Sequence, residues 1–150
     1  MKYVTNLDNI NCMESFKDQI KKIFDEIKEI ECPAFPKEKI HFNSKGINHL
    51  IYKGNRSMRE VARIKTNLRL LPGAIKLLKM MPFAQEEASY VSNGVEMKYW
   101  AFEGVVDKRR IKVVIRQKGK GLKHFFSVIP AWRKDRFGNI KNARGDLRKG

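Results

Sequence analysis

The chain has 150 residues, 42% of them apolar, and 32 Lys and Arg set against 16 Asp and Glu give a net charge of +16. That length suits one domain with a real core, and the apolar share excludes a disordered basic tail. The charge is uneven: residues 1–40 hold 7 basic and 8 acidic groups, and residues 41–150 hold the other 25 and 8, so a −1 segment precedes a +17 body. Such a body repels itself and favours a polyanion that releases counterions on binding, with nucleic acid the first candidate. No apolar run approaches the roughly 20 residues of a membrane span.

In chain order, Met13, Phe16, Ile20, Ile23, Phe24, Ile27 and Ile30 recur at helical spacing and predict an amphipathic helix. Asn11 stands at its N-cap with Glu14 three residues on, and Pro33 forbids continuation past Cys32. Its charged side reads first as a solvated face, and otherwise as a protein contact or an acidic element laid across the basic surface. Cys12 and Cys32 flank this helix roughly 30 Å apart, beyond disulfide reach. With no Cys-x-x-Cys pair and no secretory signal over Met1 to Ile10, a reduced cytoplasmic protein without structural zinc is expected.

Pro33 to Lys39 reads as an extended connector. Ser44 is expected to cap a short helix that turns Ile47, Leu50 and Ile51 inward, sets Lys45, His49 and Lys53 along one edge, and ends at Gly54-Asn55. Ser57-Met58-Arg59-Glu60 reads as a capping box opening a second long helix with Val61, Ile64, Leu68 and Leu71 buried. Arg59 and Arg63 share another face of it, with Arg56 just before the cap. Pro72 is expected to break or kink the run and suits the first turn of a following apolar helix from Gly73 to Met80.

From Pro82 the period becomes two. Glu87 to Val91 pairs with Val95 to Val106 through Ser92-Asn93-Gly94, a strong hairpin signal. A polar turn, Asp107 to Arg110, leads to a third strand ending at Arg116. A loop from Gln117 to Gly121 leads to a fourth strand, Lys123 to Ile129, closed by Pro130. The expected class is α+β, with N-terminal helices followed by a four-stranded antiparallel β-meander. The end, Arg133 to Gly150, carries +5 and reads as frayed or as a short helix that orders on RNA.

The chemistry narrows by exclusion. His41 and His49 lack partners at ligand spacing, so no metal site is expected, and Lys118-Gly-Lys-Gly121 lacks the Gly-Lys-Ser/Thr ending of a phosphate loop. Carboxylates in the basic body are too scattered for a two-metal nuclease. Metal-independent phosphodiester cleavage remains. It needs a base for the ribose 2′-OH, an acid for the 5′-oxygen and cations on the phosphorane, all of which His, Lys and Arg supply without a cofactor.

Arg116 and His124 stand on neighbouring strands across a short loop, each out of phase with a core position, Ile115 and Phe125. His49 is the second proton-transfer candidate, and Ser127 offers a hydroxyl to a phosphate oxygen. His41, Lys45, Lys53, Arg56, Arg59, Arg63, Lys118, Lys120 and Trp132 are the expected substrate-binding groups, with Trp132, Trp100 and Tyr99 the stacking candidates. Taken alone, His49 and His124 each read as an ordinary structural residue, and His41 equally as an interface residue or a base.

The segments His41-Phe-Asn-Ser-Lys-Gly-Ile-Asn-His49-Leu, Arg69-Leu-Leu-Pro72, Ile111-Lys-Val-Val-Ile-Arg116 and Lys123-His-Phe-Phe-Ser-Val-Ile-Pro130 resemble the barnase–EndoU–colicin–RelE group of small ribonucleases, in its phage-associated branch. The resemblance covers about Ile40 to Trp132. It implies metal-independent RNA cleavage on an exposed sheet face and adjoining helix, with the histidines, Arg116 and Ser127 as the site. It divides the chain into an N-terminal helix and connector (1–40), a basic nuclease-like core (41–132) and a basic tail (133–150). Activity across that group ranges from general to tRNA-specific and ribosome-dependent cleavage, so the substrate does not transfer; the expected partners are RNA (tRNA, mRNA or the ribosome) and an acidic inhibitor or antitoxin protein. The rival readings are a nonenzymatic RNA- or ribosome-binding module and, less favoured, a protein-interaction adaptor centred on the first helix.

Overall fold

The computed structural model describes residues 6–53, 57–58, 60–134 and 140–142, with side chains over 15–52 and 60–131. It is α+β, with helices on one face of a mixed sheet. Helix α1 (Asn6–Ile27) leads into strands β1 (Glu29–Glu31) and β2 (Lys39–His41), then helix α2 (Ser44–Ile51). A small ribbon, β3 (Tyr52–Lys53) with β4 (Ser57–Met58), precedes helix α3 (Val61–Met80). Four strands follow, β5 (Glu86–Ser92), β6 (Val95–Val106), β7 (Arg109–Lys118) and β8 (Lys123–Pro130). A hairpin of β9 (Trp132–Lys134) and β10 (Ile140–Asn142) closes the described chain. Among the described residues no helix is long and apolar enough to cross a membrane.

The sheet corrects the expected four-stranded meander. β5 to β8 do pair antiparallel in sequence, but β1 and β2 extend them to six strands in the order β1-β2-β8-β7-β6-β5, with β2 parallel to β8. The two extra strands come from the segment assigned to the helix end and the connector. α1 stops at Ile27 because Lys28 adopts a left-handed conformation (φ 60°), its amide closing on the Phe24 carbonyl at 2.9 Å. Glu29-Ile30-Glu31 and Lys39-Ile40-His41 then alternate about buried Ile30 and Ile40, the signature of a half-buried strand at three residues' length. α1 also starts at Asn6, so Asn11 lies inside the helix and Cys32 lies beyond it.

Other boundaries move for similarly local reasons. Asn43, not Ser44, caps α2, its Oδ1 accepting from the Lys45 amide at 3.1 Å. α2 ends at Ile51 rather than at Gly54-Asn55. Ser57-Met58 is strand rather than capping box, and α3 begins after Glu60 with no side-chain cap. α3 also runs unbroken through Pro72, which is exposed. The β5–β6 turn is the expected Asn93-Gly94, both at positive φ (52° and 77°). The next turn is only Asp107-Lys108, also both positive, which frees Arg109 and Arg110 to join β7. Part of the C-terminal segment forms the β9–β10 hairpin rather than a helix.

The core lies between the helices and one sheet face. Ile20 and Phe24 of α1, with Ile64, Leu71, Leu77 and Leu78 of α3, pack on Ile40, Phe102, Val113, Ile115 and Phe125. α1 therefore completes the core, in keeping with the solvated-face reading of its charges. Phe24, Phe42 and Phe125 meet at centroid distances of 5.2–5.8 Å. Trp100, a stacking candidate on sequence, packs edge-on to Phe35 of the connector at 5.3 Å. Buried Lys123 lies over both rings, 5.1 and 5.0 Å from their centroids, and reaches the Glu38 carboxylate. That contact fastens the connector to β8.

Candidate functional site

The opposite sheet face carries the polar groups. Strand pairing aligns one transverse row on it: Glu29 opposite His41, His41 opposite His124, His124 opposite Arg116, and Arg116 opposite Tyr99. Residues in register across a sheet share a face, and the core positions Ile40, Ile115 and Phe125 beside them point the other way. Three of the predicted groups, His41, His124 and Arg116, therefore stand side by side on three adjacent strands.

Within the row two contacts set the chemistry. The Arg116 Nε–H donates to His124 Nε2 at 3.0 Å. An imidazole accepting at Nε2 carries its proton on Nδ1, so His124 is neutral. Burial, then Arg116, Lys45 and His41, hold its pKa down to about 4 against an ordinary 6.5, although a hydrogen bond with the Leu122 backbone works upward. His124 is 1% exposed, so its ring orients Arg116 rather than facing solvent. At the sheet edge, His41 Nδ1 lies 3.5 Å from Glu29 Oε2. That contact leaves the far nitrogen of a partly exposed imidazole facing away from the carboxylate.

β8 departs from regular alternation at one point. Ile115 pairs with Phe125 and Val114 with Ser127, so Phe126 is an extra residue in the strand. The bulge has two consequences. Ser127, which strict alternation would put on the Phe125 side, lies opposite Val114 on the polar face, its Oγ buried and without a hydrogen-bond partner. Phe126 also stays on that face, packed with Tyr99, Ala101 and Val114. The His49 ring stacks on Phe126 at 3.8 Å, and the Arg116 guanidinium lies 4.4 Å from the same ring centroid. His49 and Arg116 thus gather about one phenylalanine, with His124 hydrogen-bonded to Arg116.

α2 borders the site closely. A Cβ on Gly46 would come within 2.3 Å of the Phe125 carbonyl oxygen, so only glycine lets the helix lie this near β8. The close approach brings Lys45 and His49, one turn apart, to the polar face. Past Arg116 the face opens into a hollow of about 450 Å³ lined by Lys45, Arg116, Lys118, Tyr90, Tyr99 and Met97. The β5–β6 turn closes its end with Ser92, Asn93 and Val95, and among the described residues no carboxylate lines it.

The remaining predicted groups distribute differently. Arg63 stands in the first turn of α3, on the helical layer, away from the cluster. Lys120 is an exposed loop residue outside the hollow. Arg56 and Arg59, and the side chains of Lys53 and Trp132, lie outside the described residues. Among the described residues no three His, Cys, Asp or Glu side chains gather as metal ligands.

Sequence reasoning missed Glu29, Phe126, Tyr90 and Met97. The alternation of Glu29-Ile30-Glu31 against Lys39-Ile40-His41 was the available signal for the first, since pairing them sets Glu29 opposite His41. Phe126 had none, because a bulge leaves no mark in a strand of apolar residues.

Comparison with family models, with curated proteins and with solved structures finds no match to this chain.

Proposed function

We propose that the protein is a metal-independent RNA endonuclease whose site is the row Glu29–His41–His124–Arg116, with Lys45 and His49 of α2 beside it. The observation that carries the reading is the register. It sets an orientable base, His41, and a fixed cation, Arg116, about 10 Å apart on the same face with His124 between them. A phosphodiester laid along that row meets both.

His41, held by Glu29, takes the ribose 2′-OH proton as the oxygen attacks phosphorus. The P–O5′ bond breaks, leaving a 2′,3′-cyclic phosphate. The 5′-oxygen takes a proton from the α2 edge, where Lys45 and His49 stand. Arg116 stabilises the phosphorane dianion, and its charge persists at any working pH. His124 fills the positioning role: it accepts from Nε and leaves the two terminal nitrogens of the guanidinium for phosphate oxygens. This division of labour moves proton transfer from His124, the first candidate on sequence, to His41 and His49.

The test is single-turnover cleavage of a short RNA in EDTA. Arg116→Ala and His41→Ala should each lower turnover by about 10²–10⁴, and Arg116→Lys should recover little because the fork is lost. Products should carry 2′,3′-cyclic phosphate. A parent protein that requires magnesium, or variants that cleave like the parent, would overturn the proposal.

A nonenzymatic RNA-binding module is the second reading. The observation favouring it is the burial of His124, which removes one of three histidines from direct proton transfer. Intact RNA with a salt-sensitive shift in mobility would select it.

A further inference from the structure

The hollow beside Arg116 has a composition that bare phosphate binding does not require. Cations occupy one side: Lys118 and Arg116 on β7, and Lys45 reaching over from α2. Aromatic and thioether groups occupy the other, and the register orders them. Tyr90 pairs with Met97 and Met97 with Lys118, forming a second row two residues along the strands from Tyr99–Arg116. Across the sheet this row reads aromatic ring, thioether, cation, and the His124–His41 pair lies in the neighbouring row, beyond Arg116. Tyr90 stands edge-on to Tyr99 at 5.7 Å, and Tyr99 in turn to Phe126 at 5.6 Å, so a continuous aromatic layer backs the half-buried Tyr90.

We propose that this hollow is a one-nucleotide subsite. An unpaired base stacks on Tyr90 beside Met97, and its phosphate is held between Arg116, Lys118 and Lys45. A volume of about 450 Å³ accommodates one nucleotide. The flat ring supplies sequence-tolerant stacking, and the thioether adapts to either base size. Among the described residues no lining carboxylate opposes the anion. The inference rests on the RNA reading above and adds that the substrate is single-stranded at this position, one nucleotide being splayed from its neighbours. The exposed turn residues Ser92 and Asn93 border the base end of the hollow, where base edges would lie.

Calorimetric titration of the full chain in EDTA with AMP, UMP, ribose 5-phosphate and inorganic phosphate tests it without requiring cleavage. AMP and UMP should bind one to one and about tenfold or more tighter than ribose 5-phosphate, the difference being the stacked base. Tyr90→Leu should lower nucleotide affinity to the ribose 5-phosphate level and leave ribose 5-phosphate itself unchanged. Tyr90→Trp should retain the discrimination, and the ligand series on the parent decides the matter even where Tyr90→Leu does not fold.

Equal affinity for nucleotides and ribose 5-phosphate would overturn the subsite, as would a Tyr90→Leu that weakens all four ligands alike. Base discrimination without RNA cleavage upholds the subsite while removing the endonuclease reading. Cleavage without base discrimination does the reverse.

Discussion

The two faces of the sheet are made by the same strands, yet they hold different matter. Facing the helices, Ile40, Phe102, Val113, Ile115, Phe125 and Val128 form a hydrocarbon layer, with Lys123 set among Phe35, Trp100 and Glu38 at its margin. On the other face the apolar cluster is small, Tyr99, Ala101, Val114 and Phe126, and it is interrupted by buried His124, Ser127 and Lys112. A buried polar group destabilises unless it is paired. Lys112 has the Glu86 carboxylate at 3.0 Å, and His124 has Arg116 and stays neutral. The Ser127 hydroxyl has no such partner. One face maximises transfer of apolar surface from water, while the other accepts desolvated polar groups held in fixed positions, as a preorganised site requires.

The largest expected effect breaks the comparison at the apolar face. Phe125 is fully buried between Phe24 and Phe42, and Phe125→Ala should cost roughly 3–5 kcal/mol, a large share of the stability of a domain this size. Urea unfolding of parent and variant measures it. A loss under about 1 kcal/mol would mean that the hydrocarbon layer does not carry the fold.

The difference between the faces also explains what the sequence made legible. Period-two alternation from Glu86 to Pro130 placed Ile115 and Phe125 inward and Arg116 and His124 outward, and Asn93-Gly94 fixed the turn that sets the β5–β6 register. The partnership of Arg116 with His124 followed from the length of the loop between them. What escaped detection depended on long-range pairing. Three-residue strands such as Glu29–Glu31 show a single alternation, too short to stand out from the helical stripe that precedes it, so β1 and β2 read as helix end and connector, and the link of His41 to His124 was lost with them. The bulge at Phe126 reversed the face of Ser127 for a reason no local pattern encodes. Pro72 shows the opposite failure, a strong local breaker overruled because the buried stripe continues from Leu71 to Ala74 and Ile75.

An intermediate effect sharpens the comparison through pH. In the unfolded chain the His124 ring has the ordinary pKa near 6.5, and in the fold it is held at about 4. Between those values the unfolded state binds the extra proton. The stabilisation is therefore complete above about pH 6.5 and is lost as pH falls toward 4, up to roughly 3 kcal/mol in all. Denaturation measured at pH 7.5, 5.5 and 4 should show the parent losing stability across this window more steeply than His124→Gln, which cannot titrate. Parallel curves would show that the second face does not enforce a neutral imidazole.

The smallest expected effect on the fold is the most informative about polyanion binding. Lys45 and Lys118 are exposed and border the hollow, whereas Lys76 is exposed on α3, in the helical layer, pairing with Asp107 at 3.4 Å. Each should change stability by no more than about 0.5 kcal/mol when replaced by Gln, as surface substitutions do. Their effects on RNA should differ. Each phosphate contact to a single strand contributes about 0.7 to the slope of log affinity against log salt. Lys45→Gln and Lys118→Gln should each flatten the slope by about that amount, and Lys76→Gln should leave it unchanged. Fluorescence anisotropy of a labelled oligonucleotide between 50 and 200 mM salt, conditions that span a wide range of such affinities, resolves the difference. Equal flattening by all three would spread the polyanion over both layers and abolish the distinction between them. Loss confined to the two hollow lysines would localise the strand to the face where the polar row lies.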